Sequence, residues 1–213
     1  MNRIDGKVCV VTGGTQGLGA AVARRLAEAG AAGLVTCGRG EAKGRAVAEV
    51  VEGDTGVPVL FVRCDLAVVE DCRAVIAAAA RFGRVDVLVN AAGLTDRGDI
   101  LSTDQALFDR MFAVNVRAPF FLMQEAIRLM IRDGVEGSIV NIGSASSRAG
   151  QPFIASYCAS KGALTTLTRN TAFATMRNRI RVNQLDIGWM ASENEDRVQR
   201  EQMGGAKDWL AQV

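Results

Sequence analysis

Residues 7–30 read KVCVVTGGTQGLGAAVARRLAEAG. The opening KVCVVT is a short valine-rich run without polar alternation, the look of a strand buried on both faces of a parallel sheet. The closing GLGAAVARRLAEAG sets Leu18, Val22 and Leu26 on one helical stripe. Between them lie Gly13, Gly14, Gly17 and Gly19. Glycines here permit a sharp turn, close approach of the backbone to a pyrophosphate, and tight packing of helix on strand. A helix opening at Gly17 offers free N–H groups and a partial positive end to a phosphate. Strand, glycine turn and amphipathic helix together make Gly13, Thr15, Gln16, Gly17, Leu18 and Gly19 a candidate dinucleotide cradle. A glycine trio without that context would be an ordinary tight turn.

The alternation continues down the chain. Apolar runs at 33–37 (GLVTC), 58–64 (PVLFVRC), 85–90 (VDVLVN), 138–143 (SIVNIG) and 180–185 (IRVNQL) read as further strands. Helical spacing occupies 41–52, 68–82, 104–133 and 155–177. Such regularity predicts one α/β domain over 1–213, an open doubly wound parallel sheet with right-handed crossovers. Ligands of such sheets sit outside the carboxyl ends of the strands, so chemistry is expected just after each run.

Composition narrows the function. The net charge of +2 comes with no basic run, which speaks against nucleic acid. No apolar stretch reaches the ~18 residues of a membrane span, and the N-terminus lacks a signal-peptide pattern. Five cysteines, an odd number lying mostly inside apolar runs, read as reduced and buried, as in a cytoplasmic protein. They show no metal-ligand spacing. Histidine is absent altogether, which excludes Ser-His-Asp and Cys-His triads and most zinc chemistry. Acid–base work therefore falls to a carboxylate, a cysteine, a lysine or Tyr157, the only tyrosine.

Thr12-Gly13-x-x-x-Gly17-Leu18-Gly19, the turn Asn90-Ala91-Ala92-Gly93, Asn115, Ser144 and Tyr157-x-x-x-Lys161 occur in order, with Ser144 thirteen residues before Tyr157. In this pattern the chain resembles the short-chain dehydrogenase/reductase family from residue 7 to about 190. The resemblance implies a Rossmann-like sheet of order 3-2-1-4-5-6. It also implies an NAD(P)(H)-dependent oxidoreductase acting on a small secondary alcohol or ketone. Relatives generally continue with another helix and a last strand beside the sixth; a sheet lacking that strand would carry an exposed edge. Relatives also often form homodimers or homotetramers through the helices at 104–133 and 155–177.

Hydride transfer must be matched by a proton moving on or off the substrate oxygen. A tyrosine of pKa ~10 is a poor base at neutral pH unless a cation favours its phenolate. Lys161, at i+4, lies on the same helix face as Tyr157 and, with the positive charge of oxidised nicotinamide, is the expected source. Ser144, just past the fifth strand, can bond the reacting oxygen. Without histidine or a G-x-S-x-G elbow, it does not read as a nucleophile. Asn115, in an apolar helical stretch, needs buried partners. The resemblance adds a relay through Asn115, water, Lys161, the cofactor ribose and Tyr157.

By the same resemblance, Gly38 stands where NAD-preferring members carry aspartate, and Arg39 follows. A guanidinium there can pair a 2′-phosphate, favouring NADP; the alternative is a solvated loop arginine. Asp65 is expected to accept from the adenine amino group beside Leu66, or else to cap a helix. Asn90, Ala91, Ala92 and Gly93 match the family's turn against the cofactor. After the sixth strand, Ile187 replaces the usual proline before Gly188. Met190 is expected to meet the carboxamide and Ser192 a phosphate, at the start of a substrate lid at about 187–205. Gln151 reads equally as a bond to a hydroxylated substrate and as a solvated loop residue. Two rival functions are a catalytically silent dinucleotide sensor or scaffold, which an intact Asn115, Ser144, Tyr157 and Lys161 set argues against, and a methyltransferase of similar fold. The latter would place an acid after the second strand.

Overall fold

A computed structural model describes residues 4–203 of the chain. Six strands, β1 (Val8–Thr12), β2 (Gly33–Gly38), β3 (Val59–Arg63), β4 (Val87–Asn90), β5 (Ser138–Ser144) and β6 (Arg181–Ile187), form one sheet of order β3-β2-β1-β4-β5-β6. Every pairing is parallel. The helices between them are α1 (Gly17–Glu28), α2 (Glu41–Thr55), α3 (Val69–Ala78), α4 (Gln105–Phe112), α5 (Ala118–Arg132) and α6 (Ala155–Thr175), with α7 (Glu193–Met203) after β6. Strand order 3-2-1-4-5-6 places the reversal between β1 and β4, where a crevice opens at the carboxyl ends.

The unbroken apolar runs follow from burial on both faces. In β1, Val8 and Val10 join the core under α3 and α5, with Cys72, Ile76, Leu122 and Met130. Cys9 and Val11 point the other way, to Ala23 and Ala27 of α1 and Val51 of α2. Burial pushes Cys9 and Cys72 up to about 12, which keeps these thiols protonated and inert.

At the amino edge of the sheet, buried Asp86 accepts from Val8 N–H at 3.0 Å and from Arg84 Nε at 2.8 Å. Burial alone would raise its pKa; these bonds outweigh it and hold the carboxyl below the usual value.

The segment 104–133 is not the continuous α-helix its spacing predicts. A π turn at Ala113–Arg117 separates α4 from α5 and holds Asn115. Pro119, early in α5, cannot donate to the carbonyl four residues back, and its ring clashes there. A wider turn removes that conflict. Among the described residues β6 is a sheet edge, with Leu185 57% exposed.

Candidate active site

The loop after β1 is shaped by two glycines. Gly17 has φ +53°, and a Cβ at Gly19 would run into the Gly13 carbonyl. Gln16, the N-cap of α1, makes no side-chain capping bond, so the first amides of α1 keep their donors for an anion. Thr12 Oγ1 accepts from the N–H groups of Ala91 and Ala92, each at 3.1 Å, tying this loop to the turn after β4. The loop after β6 closes the third side: Ser192 Cβ would lie 3.3 Å from a Cβ at Gly17. Ser192 Oγ accepts from Glu195 N–H at 3.2 Å, which caps α7.

These loops enclose a cleft of about 630 Å³, within the range of cofactor sites. Its lining contains Gly13, Thr15, Gln16, Gly17, Leu18 and Gly19 from the first loop, and Gly38 and Arg39 from the second. Asp65, Leu66, Ala91, Ala92 and Gly93 follow, with Ser144, Tyr157, Lys161, Ile187, Gly188, Met190 and Ser192. A cradle that a single added methyl would fill, opening into a cleft of this size, fits a dinucleotide. A Cβ at Gly38 would fall 2.6 Å from Thr15 Cγ2, so an acid there would meet the Thr15 methyl.

Asn90 and Asn115 do not line the cleft. Asn90 Nδ2 donates to Asn141 Oδ1 at 2.8 Å, and Asn141 Nδ2 to Thr168 Oγ1 at 2.9 Å, a buried chain from β4 through β5 to α6. Asn115 Oδ1 accepts from Leu94 N–H at 2.8 Å, and its Nδ2 donates to Leu94 O at 3.0 Å and Ser160 Oγ at 3.1 Å. Its side chain thus holds the loop after β4 as a neighbouring strand would. Asp65 does not cap α3, whose N-cap is Val68; Asp65 Oδ1 accepts from Ala67 N–H at 2.9 Å in the turn before it.

Tyr157 and Lys161 are both buried on α6, with Lys161 Nζ 5.7 Å from the phenol ring centre. Nζ donates to Ile142 O at 2.8 Å. A Cβ at Gly93 would lie 3.5 Å from both Asn115 Oδ1 and Lys161 Nζ, so the Gly93 backbone runs directly beside the buried ammonium.

Burial lowers the Lys161 pKa from 10.5 to about 8, with Asp186 acting in the opposite sense. The phenol does not follow the expectation of a Lys161-depressed tyrosine. Burial pushes Tyr157 above the ordinary value and outweighs its hydrogen bond with Ser144. Beyond these, Glu195 raises it and Arg97 lowers it. Removing a phenolate from water opposes its charge more strongly than nearby donors favour it.

Glu195 and Trp189 fall within the lid expected at 187–205, but no pattern in the sequence singles out either of them or Arg97. Arg97 Nη2 meets Glu195 Oε1 at 2.6 Å and Nη1 donates to Thr95 O at 2.9 Å. Its guanidinium carbon lies 5.6 Å from the ring centres of both Phe153 and Trp189. A bridge between Gly98 and Ile154 sets this loop against the start of α6. Lys43 of α2 also lines the cleft, donating to Gln16 Oε1 at 2.9 Å and meeting Glu193 of α7 at 2.6 Å. No local signal marks these residues, since their partners lie 98 and 150 positions away.

A family model described as short chain dehydrogenase matches residues 7–203. The sorbitol dehydrogenase of Cereibacter sphaeroides is 33% identical over 196 residues, covering 92% of this chain and 75% of its own. Among solved structures, an NAD+-bound xylitol dehydrogenase superposes with a TM-score of 0.82 at 31% identity, over 87% of this chain and 71% of that one. A proposed NAD(P)-dependent gluconate 5-dehydrogenase from Beutenbergia cavernae, with NADP bound at low occupancy, superposes with a TM-score of 0.86 at 32% identity. That match covers 94% of this chain and 79% of the other. Two relatives holding different dinucleotides on one fold leave the cofactor open, but matches of this breadth decide the kinship: the chain belongs to the short chain dehydrogenase family of oxidoreductases.

Proposed function

We propose that this protein transfers a hydride between a nicotinamide dinucleotide and a secondary alcohol or ketone, using NADP at least as well as NAD. The observation that carries this reading is the convergence of Ser144, Tyr157 and Lys161 on the cleft that the glycine cradle opens into. When bound, the nicotinamide supplies the hydride acceptor or donor. In oxidation, Tyr157 as phenolate takes the carbinol proton while the carbon loses its hydride; in reduction the phenol returns that proton to the oxygen. Ser144 Oγ accepts from Ser146 N–H at 3.2 Å, so its own hydrogen remains for the phenol or the reacting oxygen.

Lys161 has three donors. One is held by Ile142, and the others serve the cofactor ribose while the charge favours the phenolate. Because burial raises the phenol, that charge and the cation of oxidised nicotinamide are both needed near neutral pH. Asn115 supports Lys161 from behind, by fixing the loop that carries Gly93. Arg39, exposed at the rim next to Gly38, pairs a 2′-phosphate.

Residues 187–203 act as the lid of a single cofactor-binding and catalytic domain; positions 204–205 of the expected lid lie outside the described residues. Phe108, Phe120 and Phe173, exposed on α4, α5 and α6, support association of copies through those helices. No helix among the described residues is long and apolar enough to cross a membrane, and the five free cysteines, mostly buried, accord with a reducing, cytoplasmic setting.

The test follows absorbance of the reduced nicotinamide with alcohols and ketones. Tyr157→Phe is expected to lower kcat by at least about 100-fold while calorimetric NADPH affinity stays within about threefold. Residual turnover above about a tenth of the parent's overturns the acid–base assignment. A kcat/KM more than about tenfold higher with NAD overturns the cofactor preference.

A further inference from the structure

The wall facing Tyr157 is unusual for a cleft that handles a small alcohol. It carries an almost fully buried ion pair, Arg97 with 9% and Glu195 with 12% of their side chains exposed. The guanidinium lies over the rings of both Phe153 and Trp189 and is tethered to Thr95 O. The carboxylate is held by Arg97 and by Gln199 Nε2 at 3.0 Å, both on Oε1. Its other oxygen, Oε2, meets Thr95 Oγ1 at 3.5 Å, the long limit of a hydrogen bond. A carboxylate has about four acceptor sites, so Oε2 is where an incoming hydroxyl finds an acceptor. Elsewhere in the cleft lining, Gln151 Oε1 is engaged by Ser146 Oγ at 3.1 Å, which leaves its amide hydrogens for other acceptors.

Charge and polarity then sort the substrates. Both terminal nitrogens of Arg97 are committed, to Thr95 O and Glu195 Oε1, so on this wall an anionic substrate meets Glu195 Oε2 as a like charge rather than the guanidinium. An apolar alcohol would cover charged atoms without replacing the hydrogen bonds of water. A substrate rich in hydroxyls replaces them, donating to Glu195 and accepting from Gln151, while an aromatic face packs against its C–H edge.

Resting on the hydride-transfer reading above, we infer that the substrate is a neutral polyhydroxylated molecule, a polyol or its ketose form, selected by the Arg97–Glu195 pair. Glu195 and Arg97 are specificity-determining residues, distinct from the reacting groups. The reaction keeps its balance: one carbinol of the polyol gives a hydride to the nicotinamide and a proton to Tyr157, and the other hydroxyls only bind.

The experiment compares sorbitol, gluconate and octan-2-ol as probes, with both dinucleotides, for the intact protein and two variants. The parent is expected to show kcat/KM at least about tenfold higher for sorbitol than for either other probe. Glu195→Gln removes the like charge and leaves Arg97 uncompensated, so the sorbitol-to-gluconate ratio falls by about tenfold or more, chiefly through KM. Arg97→Gln moves that ratio upward. Opposite movements in two variants cannot come from a general loss of folding, which lowers both substrates together. A parent that prefers gluconate or octan-2-ol, or variants that leave the ratio unchanged, overturn this inference and leave the oxidoreductase reading standing. Turnover of no alcohol or ketone by a protein that still binds dinucleotide overturns that reading, and this one with it.

Discussion

Truncating Asn115 to alanine separates a structural from a purely proton-relaying asparagine. Its buried amide makes reciprocal bonds with Leu94, accepting from the N–H at 2.8 Å and donating to the carbonyl at 3.0 Å. In Asn115→Ala both backbone groups lose these partners. An unsatisfied buried group costs about 1–3 kcal/mol; Leu94 is half-buried at the cleft wall, so the two together cost toward the low end, about 2–4 kcal/mol. Against a total stability of about 5–15 kcal/mol the variant still folds at the lower end of that cost. For a chain of this size each kcal/mol moves Tm by about 2–4 °C, which sets a fall of at least about 4 °C.

The loss should be local as well. Leu94 follows Gly93 and precedes Arg97, so the loop facing Lys161 loosens and its amides exchange faster. The assay is a thermal melt by circular dichroism, with hydrogen exchange followed at the Leu94 amide. A Tm within about 2 °C of the parent with unaltered Leu94 protection, alongside lost turnover, would refute the reasoning. Asn115 would then serve only as a relay member.

Two further outcomes follow from the site. Lys161 has a folded pKa of about 8 against 10.5 when exposed, a penalty of about 3 kcal/mol on its charged form. Between those values the unfolded chain binds more protons, so stability rises with pH across that window, and below it the full penalty persists. The Tm of the parent minus that of Lys161→Met should therefore increase from pH 7 to 10; a flat or falling difference contradicts the burial argument. Gly19→Ala forces a methyl against the Gly13 carbonyl, a strain of about 1–3 kcal/mol. NADPH affinity by calorimetry should weaken about tenfold, and an unchanged Kd would remove the glycine loop from the cofactor site.

The alternation of valine-rich runs with helical stripes was legible because a parallel sheet buries each strand on both faces. In the run VCVVT (residues 8–12), Val8 and Val10 enter one core and Cys9 and Val11 the other. The glycine turn and the Tyr157–Lys161 pair were legible because both are local: a backbone turn and one helical repeat. The π turn at Ala113–Arg117 was not, because the apolar spacing runs through it, and the partners of Asn115, Leu94 and Ser160, come from other elements. Asn90 matched a cofactor turn by sequence, yet its side chain serves the sheet, bonding Asn141 on the neighbouring strand.

By itself the sequence determined the fold class, the glycine turn after the first strand and the absence of any histidine route to catalysis, since these depend on residue type and spacing alone. Only the tertiary structure decided the sign of the Tyr157 shift, because burial is a property of the packed whole. It alone also joined Arg97 to Glu195 across 98 residues. Each reads as a solvated charge on its own segment. They become a buried pair lining the cleft only when the loop after β4 and helix α7 are folded over the same strand ends.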